Sequence, residues 1–171
     1  MIIVMHYQKI KDITELIELA DNELKEENPD KSSYESHFNQ TDISYGCYHN
    51  KKLIGFVFGI QYDSLIYIMT IGVDNKYHGN GIGSKLIQTI IENNYKALPI
   101  WCYIHNDNIA SKRLFNKFSF IQELKKNVPN ELNKNFRTKY YPYKLEYKYN
   151  LYDYDFYKET CLLNNKINNL F

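Results

Sequence analysis

The sequence predicts an α/β fold in which a mixed central β-sheet carries helices on both faces. Apolar residues recur every second position in some segments and every third or fourth in others, alternating along the chain, as strands interleaved with amphipathic helices require. One segment, Ser64 to Val73 (SLIYIMTIGV), is apolar on both of its alternating faces, as expected of a strand in the middle of a sheet. It leads through a glycine-rich turn into an apolar helical stripe, so strand, loop and helix are contiguous.

The elements follow in order. Residues 2 to 7 (IIVMHY) are expected as the first strand. Ile13, Leu16, Ile17, Ala20 and Leu24 then share one helical face, which runs to about Glu27. Asn28-Pro29-Asp30 breaks that helix, and Asp30 is placed to cap a second one from Lys31 to Gln40. Between Ile43 and Tyr62 two strand-like runs flank His49-Asn50-Lys51-Lys52, a polar turn whose asparagine tolerates positive φ, so the pair reads as an antiparallel hairpin. After the central strand, Ile82, Leu86, Ile87, Ile90 and Ile91 form a helical stripe ending near Asn94. Pro99 to Ile104 (PIWCYI) is a second buried strand, followed by a helix from about Asn108 to Phe118 with Ala110, Leu114 and Phe118 on one face. Phe120 to Leu124 begins a strand, Pro129 to Thr138 is a polar connection, and Tyr140 to Tyr149 is the strand's partner.

A chain of 171 residues fits one domain. That domain is expected over residues 1–150, with 151–171 an extension packed on its surface or on a second copy of the chain. Twenty-one basic residues against 20 acidic give a formal charge of +1, too balanced to drive nucleic-acid binding by counterion release. Cys47, Cys102 and Cys161 are odd in number and far apart, with no C-x-x-C pair, which fits a reducing cytoplasm better than a disulfide framework or a zinc ribbon. No stretch approaches the roughly 20 apolar residues of a membrane span, and the short apolar start is not a signal peptide, so neither membrane nor export is expected. His6, His37 and His49 lack metal-ligand spacing, and no metal is expected. Cys102, on a buried strand, reads as a small core residue and not as a nucleophile.

The strongest chemical signal is YHGNGIGSK, with Gly79, Gly81 and Gly83 between a buried strand and a helix. Glycines let backbone approach a ligand closely, and a helix start offers unpaired N–H groups and a positive dipole end. Together they make a pyrophosphate site. A P-loop needs G-x-x-x-x-G-K-[ST], but here Ser84 precedes Lys85. A dinucleotide fingerprint needs G-x-G-x-x-G, and counting from Gly79 or Gly81 puts Ser84 or Leu86 at its last position. A plain turn accounts for one glycine well and for three at alternate positions poorly.

The loop resembles the acyl-CoA signature of the GNAT N-acetyltransferase superfamily, Q/R-x-x-G-x-G/A, with Gly81 and Gly83 at the glycine positions and His78 where Gln or Arg is usual. NIASKRLFNKFSF, Asn108 to Phe120, is similar to the same family's N-x-x-A-x-x-L-Y-x-K-x-G-F helix. The two stretches span about Leu65 to Phe120. The resemblance implies a sheet whose central strands splay apart, with acetyl-CoA as donor and a primary amine, small molecule or peptide N-terminus, as acceptor. It implies that main-chain groups of Ile71, Gly72 and Val73 pair with the pantetheine arm and that the backbone of His78, Gly79, Asn80, Gly81, Ile82, Gly83 and Ser84 wraps the pyrophosphate. Asn108 would hydrogen-bond the arm, and Phe115 would lie near the sulfur.

Phe115 stands where the family commonly has the tyrosine that protonates the leaving thiolate, and phenylalanine has no proton to give. Ser119 replaces the usual glycine. No carboxylate lies within Ser64 to Val73 to serve as base, which leaves Asp63, before that strand, and His105, at the end of the next one, as candidates. The alternative is a non-catalytic acyl-CoA-binding sensor, to which the missing tyrosine and carboxylate both point.

Overall fold

A computed structural model describes residues 4–24, 30–39, 43–133 and 139–145. One seven-stranded sheet forms the frame, in the order β1-β2-β3-β4-β5-β7-β6. Its first four strands are antiparallel neighbours: β1 (His6–Lys9), β2 (Ser44–His49), β3 (Lys52–Gln61) and β4 (Ile66–Val73). β5 (Ile100–His105) lies parallel to β4, and β7 (Tyr140–Leu145) and β6 (Ile121–Gln122) continue the sheet antiparallel beyond it. The apolar segment singled out in the sequence is therefore the fourth strand of seven.

The β2–β3 turn holds Asn50 at φ 49° and Lys51 at φ 64°. Two successive left-handed residues give the turn the twist that matches its strands. The first strand begins later than local apolarity suggests, because register with β2, from His6 opposite Tyr48 to Lys9 opposite Tyr45, decides where β1 pairs. Asp30 does precede the second helix, but its side chain makes no capping bond.

Helices cover both faces. α1 (Ile13–Leu24) and α2 (Lys31–Phe38) pack Leu16, Ile17, Ala20 and Tyr34 against Phe56 and Phe58 on one side. On the other, α3 (Ile82–Glu92) buries Ile82, Leu86, Ile87 and Ile90, none more than 2% exposed, against β2 to β5. Each such side chain contributes about 1.5–3 kcal/mol, which anchors the helix start in place. α4 (Ile109–Asn116) presents a different residue from the one periodicity suggests: Phe115 is buried, whereas Ala110 is exposed and Leu114 and Phe118 are half-buried. A short α5 (Asn130–Asn133) sits in the connection expected to be merely polar, with Leu132 closing a cluster of Leu65, Tyr67 and Trp101. The expected extension at 151–171 and the end of the Tyr140 to Tyr149 strand lie outside the described residues.

Candidate active site

β4 and β5 part company halfway along. Their pairing covers only Ile66–Ile68 opposite Ile100–Cys102, yet β4 stays paired with β3 as far as Val73 and β5 with β7 as far as His105. Among the described residues the two middle strands thus leave facing edges without a partner strand, the splay that the resemblance implies. The divergence starts at a bulge: Phe58 faces Thr70 and Gly59 faces Ile68, so Met69 is the extra residue. A bulge bends its strand and turns it away from the neighbour.

Beyond the bulge, main-chain groups alternate between the two edges of β4. Asp74 N–H donates to Ile54 O of the β3 side at 2.9 Å. Counting back by two, Gly72 also faces β3, so Ile71 and Val73 present N–H and C=O to the open edge. The expectation for Gly72 is corrected accordingly: its main chain serves the sheet, and its missing side chain makes room for Phe56, whose Cε1 would stand 2.6 Å from a Cβ there. Val73 O already accepts from His78 Nε2 at 2.8 Å. The His78 side chain thus ties the loop to the end of β4, and any anion contact from this residue falls to its backbone.

The loop itself turns on Gly79 (φ 80°) and Gly81 (φ 75°), with nothing within 4 Å of where a Cβ would stand at either. Both conformations are ones that side chains resist. Gly83 is helical, and its constraint is proximity: a Cβ would meet Leu114 Cδ2 at 3.3 Å. Asn80 Nδ2 donates to Tyr77 O (3.0 Å) and His78 O (3.3 Å), pinning the loop from within. The first intrahelical bond of α3 runs from Lys85 N–H to Gly81 O, so the N–H groups of Ile82, Gly83 and Ser84 open toward the loop.

Two clefts meet here. The wider, of about 360 Å³, is lined by Ile71 to Val73, the loop residues Tyr77 to Gly79 and Gly81 to Ser84, and Asn108, Ala110, Ser111 and Leu114 of the α4 end. The narrower, of about 100 Å³, lies between the splayed strands and is lined by Met69, Thr70, Tyr103, His105, Phe115 and Tyr140 among others. Leu24, Ile71, Asn108 and Ser111 belong to both. Asn108 Oδ1 caps α4 by accepting from Ser111 N–H at 2.9 Å, which leaves its amide NH₂ to face the clefts. Phe115 is 3% exposed and edge-on to Phe120, with ring centroids 5.0 Å apart.

His105 keeps 19% of its side chain exposed and packs edge-on against Tyr140. Its Nδ1 accepts from Asp107 N–H at 3.2 Å and stands 4.0 Å from Asp107 Oδ2. Two partners of opposite demand therefore compete for Nδ1, one favouring a bare nitrogen and the other a protonated one. Burial raises the Tyr103 phenol above its ordinary pKa, and its hydroxyl donates to Leu132 O at 3.4 Å. Tyr34 is buried against Phe58 and hydrogen-bonds with Thr70, and burial raises its phenol further. Asp63 is not brought to either cleft: it is exposed in the β3–β4 turn, at the opposite end of β4 from the splay. Cys47 and Cys102 are buried thiols, and burial raises the pKa of both.

Some residues here carry no sequence signal. Glu23, at the end of α1, accepts from Asn75 N–H at 3.2 Å and lines the wider cleft. Lys117 Nζ reaches Ser84 Oγ at 3.4 Å, beside the open end of α3. Among the described residues there is no cluster of three or more His, Cys, Asp or Glu placed to hold a metal, and no helix long and apolar enough to cross a membrane.

The sequence pattern described as Acetyltransferase (GNAT) family matches residues 10–120. Among solved structures, the ribosomal-protein-S18-alanine N-acetyltransferase from Escherichia coli superposes with TM-score 0.68 at 16% identity, covering 83% of this chain and 93% of that one. Diaminobutyrate acetyltransferase EctA from Paenibacillus lautus, in complex with L-2,4-diaminobutyric acid and coenzyme A, gives 0.70 at 16%, covering 86% and 98%. Arabidopsis thaliana Naa50, bound to the bisubstrate analogue CoA-Ac-MVNAL, gives 0.65 at 19%, covering 84% and 99%. A search of curated protein sequences finds no match.

Proposed function

We propose, from the premise that the chain belongs to the acetyltransferase (GNAT) family, that it moves an acetyl group from acetyl-CoA directly onto a primary amine of a small molecule or a peptide N-terminus. The observation that carries this reading is the end of β4–β5 pairing at Ile68, which opens an unpaired strand edge beside the bare N–H groups of α3. An extended amide-bearing arm can add to that edge as a further strand, through Ile71 and the N–H of Val73. The amides of Ile82, Gly83 and Ser84, with the backbone of His78 to Gly81, suit a pyrophosphate, and Lys117 adds a cation beside them. The wide cleft brings that strand edge and those amides to one opening, and the narrow one adjoins it through Leu24, Ile71, Asn108 and Ser111.

In the transfer, the amine lone pair attacks the thioester carbonyl and a C–N bond forms. The C–S bond then breaks, its electron pair leaving on sulfur, while the amine gives up a proton. We assign that proton to His105. The His105 ring lines the narrow cleft, where an unprotonated ring nitrogen can accept it. The acceptors named for the structural relatives, a peptide and a diamino acid, are both amines and support the same class. A reducing compartment suits the free thiols of Cys47 and Cys102.

The test is an amine screen that follows thiol release from acetyl-CoA, alongside thermal melting. Acetyl-CoA at a hundredfold excess over its Kd should stabilise the fold by about 2.7 kcal/mol. Melting that ignores millimolar acetyl-CoA and responds to NAD or ATP would overturn the donor. Binding without turnover on any amine would leave a sensor.

A further inference from the structure

We infer that Ser111 supplies the hydrogen bond to the departing thiolate that Phe115 cannot, resting on the transfer reaction proposed above. In the helix pattern N-x-x-A-x-x-L-Y, counting from Asn108 puts Ser111 at the alanine position and Phe115 at the tyrosine position. The chain has lost a hydroxyl at one and gained one at the other. The two residues are four apart on α4, hence one turn apart on the same side of the helix.

Ser111 is one of four residues shared by the wide and narrow clefts, at the junction where a thioester lying along β4 would meet an acceptor amine. Of the four, Leu24 and Ile71 have apolar side chains, and Asn108, with its Oδ1 on the cap, has its amide NH₂ for the pantetheine arm that the family resemblance gives it. The Ser111 N–H takes that cap bond, while its hydroxyl has no hydrogen-bonding partner among the described residues. A half-buried hydroxyl without a partner, facing a junction of clefts, is a donor held ready.

The electron account is simple. As the C–S bond breaks, its pair becomes a sulfur lone pair, and the Ser111 O–H donates a hydrogen bond to it without giving up its proton. The thiolate takes a proton from solvent or remains ionised, and the amine proton goes to His105. Serine is far too weak an acid to protonate a thiolate outright, so its part is to lower the energy of the charge that develops. A hydrogen bond to a charged group is worth about ten- to a hundredfold in rate on general grounds.

Two measurements test this. In the complex with CoA, the thiol is titrated by thiolate ultraviolet absorbance, as a difference from protein alone. Ser111→Ala should raise the bound thiol's pKa by about one unit relative to wild type, and Ser111→Thr, which keeps the hydroxyl, should not. With the best amine from the screen, Ser111→Ala should cut the single-turnover rate about ten- to a hundredfold while CoA affinity stays within about threefold. Phe115→Tyr in the Ser111→Ala background should restore most of the loss. An unchanged thiol pKa in Ser111→Ala overturns the inference, as does a rate loss matched by an equal loss of CoA affinity. Failure of wild type to bind CoA would instead sink the donor assignment. Folding is not at risk, since the cap uses the Ser111 N–H and alanine favours a helix.

Discussion

Of the two clefts that meet beside β4, one is built from backbone and the other from side chains. At the α3 end the groups facing the cleft are N–H donors of Ile82 to Ser84, aimed by two left-handed glycines and by the loop ties of Asn80 and His78. Between β4 and β5 they are Thr70, Tyr103, His105 and Tyr140, brought together from three strands, β4, β5 and β7. Backbone donors survive most substitutions and fail only when the chain cannot take its path. Side-chain groups can be removed one at a time, each with its own chemical consequence. The first cleft should therefore respond in affinity and the second in turnover.

The sharpest way to break that division is Gly81→Val. At φ 75° a valine costs about 1–3 kcal/mol and pulls the loop and the first N–H groups of α3 off their common target. Loss of two or three charge-assisted bonds to phosphate lowers affinity on the order of a thousandfold. Calorimetry should detect no acetyl-CoA binding in a protein that still melts cooperatively. Gly83→Val should come close, for a different reason: its side chain would crowd Leu114 at the cleft wall. Wild-type affinity in the Gly81 variant would mean that the loop does not hold the donor.

Across the junction, His105→Gln should lower kcat about a hundredfold, within the usual range for a lost general base, and leave acetyl-CoA affinity intact. Asp63→Asn, in the exposed turn at the far end of β4, should change neither. A large kcat loss from Asp63→Asn with His105→Gln silent would reverse the assignment.

This contrast also accounts for what could be read before the fold was known. A backbone site depends on local chain geometry, so it leaves a local mark: three glycines at alternate positions between an apolar strand and an apolar helix located the α3 cleft from the sequence alone. The distribution of labour among them was not legible. Positive φ at Gly79 and Gly81 and close approach at Gly83 give the same letter, and Gly72 looked like a ligand contact until its pairing with Phe56 showed which edge it faces. The side-chain cleft leaves no such mark, because Thr70, His105 and Tyr140 are distant in sequence and meet only through the sheet order. His105 could be named because a histidine ending a buried strand is conspicuous. Glu23 and Ser111 could not, since their meaning depends on where α1 ends and on which clefts α4 divides. Ser119 hides its meaning for a related reason: it sits at φ 63°, a conformation suited to the glycine it replaces, and no periodicity reveals a backbone angle.

A smaller effect is expected where a side chain supports the backbone cleft. Asn80→Ala removes the two bonds from Nδ2 to Tyr77 O and His78 O but leaves both glycines free to take their angles. At about 0.5–1.5 kcal/mol for each neutral bond, partly offset by water in an exposed loop, acetyl-CoA affinity should fall about tenfold with kcat unchanged. A variant that lost turnover with affinity preserved would place Asn80 with the side-chain cleft.

His78 gives the smallest expected change and the finest test, because it is the one loop residue whose side chain touches the open edge of β4. Its Nε2 bond to Val73 O, 2.8 Å long, closes the corner between strand and loop and occupies a carbonyl that would otherwise face the donor. His78→Ala opens that corner and frees Val73 O in the same step. Loss of the tie should weaken binding by about 1 kcal/mol, whereas the freed carbonyl can accept from a pantetheine amide and recover part of it. A net two- to threefold rise in the Kd for acetyl-CoA follows. His78→Gln, whose amide N–H can also donate to Val73 O, should stay nearer wild type than His78→Ala. Both should leave kcat at saturation alone, since neither Val73 nor His78 lines the narrow cleft that holds His105. Tenfold tighter binding in His78→Ala would show that Val73 O is a donor-binding group that the histidine masks, and the boundary between loop and strand edge would have to be redrawn around that carbonyl.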